Sequence, residues 1–168
     1  MLEKEKRANE ITDSLKKRIQ NIKDIQNKEK SRVLAIEWIE PFFSAGHWIP
    51  EMIEIARGQN MISKSREHSR RLNFQEIVDA EPDTIIIMSW GFDVKRNVIE
   101  YNKTLRQNQK WNSLKAVKNN QVFAVDANSF FSKPSIRTIE VLEMLAKIIQ
   151  PDKFQGIRVS KESFLQIK

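Results

Sequence analysis

The sequence predicts an α/β fold in which a short, mostly parallel β-sheet is flanked by helices in three layers. Three short apolar runs, at residues 32–37, 84–88 and 121–125, are rich in β-branched residues and indicate strands. Segments with helical spacing of apolar residues separate these runs, and helices of ten or more residues between strands are typical of parallel βαβ units. The chain has 168 residues, which suits one domain with a buried core. We therefore expect a single Rossmann-like α/β lobe.

The first predicted element is an amphipathic helix over residues 3–28. Its apolar side chains recur at spacings of three and four among charged and amide residues, namely at Ile11, Leu15, Ile19, Ile22 and Ile25. A coiled coil is the competing interpretation, but the apolar stripe is too short for three or four clean heptads. Packing of this helix against the sheet is therefore preferred.

Proline residues divide the rest of the chain into elements. Pro50 is placed to open a helix that continues to about Arg57, and Pro82 ends a short helix before the predicted central strand. The remaining predicted helices cover residues 74–80, residues 94–107 and a segment that ends at Ile149. We assign residues 1–155 to a single lobe and residues 156–168 to a short C-terminal tail.

Composition excludes several kinds of site. Cysteine is absent, which rules out disulfides, thiolate nucleophiles and cysteine-ligated metal centres. The first thirty residues are charged and no apolar stretch approaches the roughly 18–20 residues of a membrane span, so neither a signal peptide nor a transmembrane segment is expected. The net charge of +7 comes from basic clusters interleaved with acidic and amide residues. This pattern favours a solvated surface, and a basic nucleic-acid-associated module is the alternative function.

Each predicted strand is followed by a loop that carries aromatic residues. The carboxyl ends of parallel strands gather at one edge of a sheet, so these loops are expected to surround one crevice. The candidate ligand-binding side chains are Trp38, Phe42, Phe43, His47, Trp48, Trp90, Phe92, Phe130, Phe131 and Arg137. One aromatic loop alone would more often belong to the core, but three converging loops favour a binding surface for a flat ligand.

Catalytic motifs are weak in this chain. The four glycines form no phosphate-binding loop, and no serine lies in a Gly-x-Ser-x-Gly elbow. His47 and Glu51 stand four residues apart with Glu37, Glu40 and Glu54 nearby, but one histidine with carboxylates is a weak set of metal ligands. We therefore expect a protein that is not an enzyme and has no metal site. A carboxylate–histidine hydrolase is a further alternative function.

An ordered series of motifs resembles a known family. The series comprises Glu37-Trp-Ile-Glu-Pro, Gly46-His-Trp-Ile-Pro-Glu, Pro82-Asp83, Gly91-Phe-Asp-Val-Lys-Arg, Trp111 with Leu114 and Ala116-Val117, Gln121-Val-Phe-Ala-Val-Asp, and Lys133-Pro-Ser-Ile-Arg. Together these motifs cover about residues 5–155. They resemble the C-terminal lobe of the substrate-binding proteins of ABC importers for cobalamin and iron siderophores, the helical-backbone metal receptors. The Gly-His-Trp and Pro-x-x-Arg elements favour the cobalamin-like branch.

The resemblance implies a receptor with two α/β lobes joined by one long helix, which captures its ligand between the lobes without chemistry. The implied ligand is cobalamin or another corrinoid, with a haem or a ferric siderophore as alternatives, and no covalently bound cofactor is implied. Such receptors are periplasmic or cell-surface proteins that deliver the ligand to an ABC permease. This chain resembles one lobe, as a truncated receptor would, so an N-terminal lobe or a homodimer partner is expected. Nucleic acid is not an expected partner.

The chain departs from the family pattern at a few positions. The glutamate with which a family lobe docks on the permease falls at Gln75, with Glu76 adjacent, so these two residues are the candidate docking residues. Arg57 stands where the family has the first of two glycines. Ser135 and Ile136 replace a Gly-Pro pair. These departures leave the expected fold unchanged.

Overall fold

The computed structural model describes residues 2–25, 29–160 and 162–168. Its helices are α1 (Leu2–Lys23), α2 (Ile49–Ile55), α3 (Phe74–Asp79), α4 (Val94–Thr104), α5 (Gln109–Asn112), α6 (Lys115–Lys118) and α7 (Thr138–Ile149), with a π-helical turn at Ala127–Phe131. Its strands are β1 (Ser31–Trp38), β2 (Phe43–Ser44), β3 (Gly58–Asn60), β4 (Thr84–Ile87), β5 (Val122–Val125) and β6 (Phe164–Ile167). The three strands predicted from the sequence correspond to β1, β4 and β5.

Within the described residues, six strands form one sheet in the order β2-β1-β4-β5-β6, and β3 also pairs with β1. Strands β1, β3, β4 and β5 are parallel, whereas β2 and β6 run antiparallel to their neighbours. The central pairing runs from Val33 opposite Thr84 to Ile36 opposite Ile87. This short, mostly parallel sheet with helices on both faces confirms the predicted α/β fold class.

Alternating side chains of each strand enter two separate cores, one on each face of the sheet. In β1, Val33 and Ala35 belong to a cluster with residues of α1, α2 and α7, which we call the α7-side core. Leu34 and Ile36 belong to a cluster with residues of α3, α4, α5 and α6, which we call the α4-side core. Because both faces are covered, the strands read as continuous apolar runs rather than as alternating patterns.

Helix α1 packs against α7 through its second half. Ile22 is buried in the α7-side core, and Arg18 forms a bidentate ion pair with Glu143 of α7 at 2.6 and 2.8 Å. Ile11, in the first half of the helix, is 44% exposed. The helix predicted over residues 3–28 ends at Lys23, and residues 26–28 lie outside the described residues. In the part of the chain that the structure describes, no helix combines the length and the apolar character that crossing a lipid bilayer requires.

The C-terminal segment contributes a strand that the sequence analysis missed. β6 pairs antiparallel with β5, from Phe164 opposite Val125 to Ile167 opposite Val122. Ile167 is buried in the α4-side core. The segment that we assigned to a tail at residues 156–168 thus extends the sheet. A run of four residues does not reveal such a strand, because its register depends on a partner that is distant in sequence.

Helix α2 ends at Ile55, two residues before the predicted end, in a turn through Arg57. Arg57 has a φ of 67°, a left-handed conformation that glycine adopts at lower cost than other residues. At the following residue, Gly58, a Cβ would lie 2.9 Å from side-chain carbons of Ile53 and Val33. Gly58 is therefore required by the close packing of β3 against α2 and β1, rather than by its backbone conformation.

Candidate functional site

The loops that follow β1, β4 and β5 meet at the carboxyl-end edge of the sheet. Backbone hydrogen bonds join them, since the N–H of Trp90 donates to the carbonyl of Glu37 at 3.2 Å and the N–H of Asn128 donates to the carbonyl of Phe92 at 3.1 Å. The three loops therefore form one connected structure. We call it the rim and define it as residues 37–48, 88–92 and 126–132.

A buried amide sets the spacing between the second and third loops of the rim. Asn97 of α4 is fully buried. Its Oδ1 accepts a hydrogen bond from the N–H of Ser89 at 3.1 Å, and its Nδ2 donates to the carbonyl of Val125 at 2.9 Å. Ser89 and Val125 lie at the ends of β4 and β5, where the strands separate into loops. The Asn97 side chain thus supplies hydrogen bonds to backbone groups that lie where the pairing between β4 and β5 ends.

The first loop of the rim is held against a neighbouring segment through its backbone. The N–H of His47 donates to the carbonyl of Glu67 at 2.6 Å, and the N–H of Arg66 donates to the carbonyl of His47 at 2.8 Å. Gly46 permits this approach, because a Cβ there would lie 2.6 Å from the carbonyl carbon of His68 and 2.7 Å from the carbonyl oxygen of Glu67. His47 has a φ of 58° and is exposed.

A π-helical turn shapes the third loop of the rim. The N–H of Ser132 donates to the carbonyl of Ala127 at 2.9 Å, and the hydroxyl of Ser132 donates to the same carbonyl at 2.8 Å. The Ser132 Oγ also accepts a hydrogen bond from the N–H of Gly91 at 3.3 Å. Within this turn, Phe131 lines the opening between the three loops, whereas its neighbour Phe130 lines a separate groove along α7. Single π-helical turns are often found at functional sites.

The rim surrounds a small pocket, which we call the rim pocket. Its volume is about 160 Å³. Its lining residues come from all three loops and are Glu37, Gly46, His47, Trp48, Ile49, Met88, Trp90, Ala127, Phe131 and Ser132. The carboxylate of Glu37 accepts a hydrogen bond from the hydroxyl of Ser69 at 2.6 Å. Cavities that enclose a drug-sized molecule have about 300–1,000 Å³, so the rim pocket accommodates one face or one edge of a flat ligand.

The predicted ligand-binding side chains differ in their relation to this pocket. Those that line the rim pocket are His47, Trp48, Trp90 and Phe131. Trp90 is 63% exposed and therefore offers a large open ring. Trp38 and Phe92 belong to the rim but not to the pocket lining, and they pack on each other with ring centroids 5.3 Å apart. Trp38 remains 39% exposed, so this pair extends the aromatic surface beside the pocket.

Four other predicted residues lie away from the rim pocket. Phe42 stacks on Trp111, with ring centroids 5.8 Å apart, and belongs to the α4-side core. Phe43 is half-buried in β2, and Phe130 packs against the α7-side core. Arg137 is exposed at the start of α7 and is not a lining residue. The role of these four residues in ligand binding stays a prediction, and the geometry of the pocket does not support it.

The sequence analysis missed most of the small and aliphatic residues of the pocket. The lining residues outside the predicted ligand-binding set are Glu37, Gly46, Ile49, Met88, Ala127 and Ser132. Met88 directly follows β4, and Ala127 lies two residues beyond β5. Their positions just after a strand could have predicted a place in the pocket, because ligands of parallel sheets bind at the carboxyl-end edge. A search for large rings overlooks the small residues that leave room for a ligand.

Among the described residues, the histidine and carboxylate side chains near the rim do not assemble a metal site. The rings of His47 and His68 are edge to face, with centroids 5.1 Å apart. Glu51 instead accepts a hydrogen bond from Ser65 at 3.4 Å. Over residues 2–25, 29–160 and 162–168, no group of three or more His, Asp, Glu or Cys side chains could hold a metal ion. The carboxylate–histidine hydrolase therefore gains no support from the structure.

The candidate docking residues lie in the first turn of α3. Gln75 is exposed, and its Nε2 donates to Asp79 at 2.7 Å. Glu76 forms a capping box with Asn73 and an ion pair with Arg70 at 2.6 Å. The hydrogen bond from the Asn73 backbone, together with Arg70, holds the pKa of Glu76 below its usual value. Glu76 is therefore ionised at neutral pH but already has partners, and docking through these residues stays a prediction.

Known proteins share the sequence pattern of this chain. The sequence model of the family described as Periplasmic binding protein matches residues 1–129. The High-affinity heme uptake system protein IsdE of Staphylococcus aureus (strain bovine RF122) is 25% identical over 153 residues, which cover 88% of this chain and 51% of the relative. The chain thus spans about half the length of the curated relatives that it matches.

Solved structures share the fold. The TroA-like periplasmic binding protein FepB from Veillonella parvula has a TM-score of 0.79 at 21% identity, over 99% of this chain and 58% of its own. S. aureus IsdE complexed with heme has a TM-score of 0.71 at 23% identity, over 85% and 57%. The periplasmic vitamin B12 binding protein BtuF of Vibrio cholerae has a TM-score of 0.60 at 16% identity, over 85% and 51%.

These matches confirm the resemblance that the motifs indicated. The fold of this chain corresponds to slightly more than half of the FepB and IsdE structures. The family match extends over well more than half of the 168 residues. The chain therefore belongs to the periplasmic binding protein family of ABC importers.

Proposed function

We propose that this chain is the ligand-capturing lobe of an ABC-importer receptor and that its ligand is a planar metal chelate, either a corrinoid such as cobalamin or a haem. The observation that carries the proposal is the rim pocket, where Trp48, Trp90 and Phe131 from three separate loops line one opening. Aromatic side chains bind flat ligands by stacking and apolar burial, with about 1.5–3 kcal/mol for each fully buried large side chain. The proposed role is capture without a chemical step.

The dimensions of the pocket favour contact with one face of the ligand. The rim pocket has about 160 Å³, and Trp90 at its border is 63% exposed. A second surface is needed to cover the opposite face of a chelate. Since the matched relatives are about twice as long as this chain, we propose an N-terminal lobe or a second copy of the chain as that cover. A lobe alone should bind weakly, because less ligand surface is desolvated.

Hydrogen bonds within the protein hold the rim together, which supports a binding role. The hydrogen bonds of Asn97 and of the rim backbone hold the three loops in place. A preorganised site avoids part of the entropic cost of ordering loops on binding. Two relatives are named for heme uptake and for vitamin B12 binding, which supports a metal chelate as the ligand class. Among metal chelates we favour corrinoids, because the Gly46-His-Trp motif resembles the cobalamin-like branch.

The proposed partner after ligand capture is an ABC permease, with Gln75 and Glu76 as the docking residues. Both residues lie in the first turn of α3, outside the lining of the rim pocket. The ion pair between Arg70 and Glu76 would have to open or be shared when the permease binds. Permease docking and ligand binding would therefore use different surfaces of the lobe.

Titration of the protein with haemin and with cyanocobalamin, followed by tryptophan fluorescence, tests the proposal. Both ligands are chromophores that quench indoles close to them, so saturable quenching is expected as Trp48 and Trp90 are covered. Free N-acetyltryptophanamide measures the trivial loss from light absorption. If neither ligand quenches the protein beyond that loss, the proposed ligand class is wrong.

Replacement of Trp90 by alanine should weaken binding of the quenching ligand about tenfold, because this ring loses its contact with the chelate. The same change should alter the free energy of unfolding by less than about 0.5 kcal/mol, since the side chain is 63% exposed. Leu165→Ala, at a half-exposed position on β6, is the matched control and should leave affinity unchanged. Equal affinities of the Trp90→Ala variant and the native chain would place the ligand elsewhere.

A further inference from the structure

The basic excess of this chain is concentrated in one stretch of helices. Residues 94–120 contain seven Lys or Arg and one Glu, a net charge of +6, whereas the whole chain carries +7. The sequence analysis treated the excess as interleaved and solvated, because acidic and amide residues separate the basic positions. In the fold, this stretch forms α4, α5 and α6, which cover one face of the sheet. The charge therefore lies on the outside of a single layer.

The outer side of α4 and α5 forms a surface that we call the basic face. It consists of Lys95, Arg96, Ile99, Lys103, Arg106 and Lys110, all of which are exposed. The inner side of α4 packs Tyr101 and Leu105 into the α4-side core, where they are 5% and 3% exposed. This packing fixes the rotation of α4 about its axis. The basic side chains are therefore held toward solvent.

The charge on the basic face is only partly balanced by neighbouring carboxylates, which are Asp93, Asp126 and Glu162 in a groove that they share with Lys95. Within the part of the chain that the structure describes, Lys95, Lys103 and Lys110 form no ion pair. Arg96 lies 3.9 Å from Glu100, at the limit of a salt bridge. Clustered cations of this kind create a positive surface potential that attracts an anionic surface and falls off with salt.

The side chains of the basic face favour anionic lipid over nucleic acid. Ile99 is 56% exposed and stands among the cations of α4, and an apolar side chain among cations suits a helix that lies in a bilayer interface. Residues 94–120 are all described, and their aromatic side chains, Tyr101 and Trp111, are buried, so none of them is available to stack on a base. We propose that the basic face binds the surface of a bilayer that contains anionic phospholipids.

This surface is separate from the rim pocket. Helix α4 starts at Val94, just after the second loop of the rim, and leads back along the sheet, while the pocket opens at the strand ends. The two surfaces adjoin, because the guanidinium of Arg96 lies 5.1 Å from the ring centroid of Phe92, but no residue of the basic face lines the pocket. Lipid binding can be measured without a chelate, so this proposal and the proposed ligand can fail independently.

Co-sedimentation with vesicles tests the proposal. The vesicles are phosphatidylcholine alone or phosphatidylcholine with about 30 mol% phosphatidylglycerol. The native chain should sediment with the anionic vesicles only, and high salt should release it. The triple variant Lys95→Gln, Lys103→Gln and Lys110→Gln should lower the partition coefficient about a hundredfold, since each basic residue near an anionic surface contributes about fivefold. Ile99→Ser should lower it further by a few fold.

A matched variant separates the basic face from net charge. Lys4→Gln, Lys16→Gln and Lys17→Gln remove the same charge from exposed positions of α1 and should keep binding within about twofold of the native chain. Equal losses in the two triple variants would overturn the proposal, as would equal binding to both kinds of vesicle. A short DNA duplex that binds more tightly than the anionic vesicles at the same salt would overturn it in favour of nucleic acid. Circular dichroism confirms that each variant is folded.

Discussion

Replacement of Asn97 by alanine is expected to lower the free energy of unfolding by about 3 kcal/mol, because it leaves two buried backbone groups without their partners. The N–H of Ser89 and the carbonyl of Val125 are now bonded to the Asn97 side chain at 3.1 and 2.9 Å, in a position where Asn97 is fully buried. Alanine raises helix propensity by about 0.5 kcal/mol, which does not offset that loss. Urea unfolding followed by circular dichroism measures the change.

The matched control for this variant is Asn102→Ala on the same helix. Asn102 is exposed and accepts a hydrogen bond from Arg106 at 3.3 Å, so its replacement should change stability by less than about 0.5 kcal/mol. The Asn97 variant should also bind the chelate more weakly under conditions where it is folded, because the second and third loops of the rim lose their common anchor. Equal stability of the two variants would show that the buried amide does not hold the rim.

Replacement of Gly46 by alanine is expected to cost about 3 kcal/mol of stability and to weaken chelate binding at least about tenfold. The added methyl group would lie 2.6 Å from the carbonyl carbon of His68 and 2.7 Å from the carbonyl oxygen of Glu67. Backbone atoms cannot rotate away as side chains do, so the two segments must separate. The hydrogen bonds that join His47 to Glu67 and Arg66 would then lengthen, and the first loop of the rim would move away from the pocket.

Gly156→Ala is the matched control for Gly46→Ala. A Cβ at Gly156 meets no described atom within 4 Å, so the free energy of unfolding should stay within about 0.5 kcal/mol of the native value. Denaturant midpoints and fluorescence titrations of both variants test the prediction. A Gly46→Ala protein with the native midpoint and the native affinity would mean that the two backbone segments can part without consequence, and the rim would not be the rigid structure described above.

The elements that the sequence predicted well are those governed by local pattern. The strands β1, β4 and β5 are buried on both faces, so continuous apolar runs mark them clearly. The convergence of three aromatic loops also followed from sequence, because parallel strands place their carboxyl ends at one edge. The strand β6 and the buried Asn97 were not predicted, since each depends on partners far away in the chain.

Side-chain direction separates the predicted residues that line the rim pocket from those that lie away from it. Phe130 and Phe131 are neighbours in one π-helical turn, yet Phe131 is buried in the α7-side core and lines the rim pocket, whereas Phe130 is half-buried against the same core and lines a separate groove. Phe42 and Trp48 both belong to the first loop of the rim, yet Phe42 stacks on Trp111 and packs against the α4-side core. Residues that are close in sequence point to different sides of an irregular segment, and composition does not distinguish those sides.

The amino-acid sequence by itself determined the α/β class, the central strands, the loops that carry the aromatic rings and the family to which the chain belongs. These properties depend on short-range patterns of apolar, proline and glycine residues, and such patterns are visible within short segments of the sequence. Only the tertiary structure decided which rings surround the pocket, how Asn97 and Gly46 hold the loops together, and that the basic residues of α4 and α5 share one face. Those properties depend on contacts between distant segments, and such contacts exist only once the sheet has assembled.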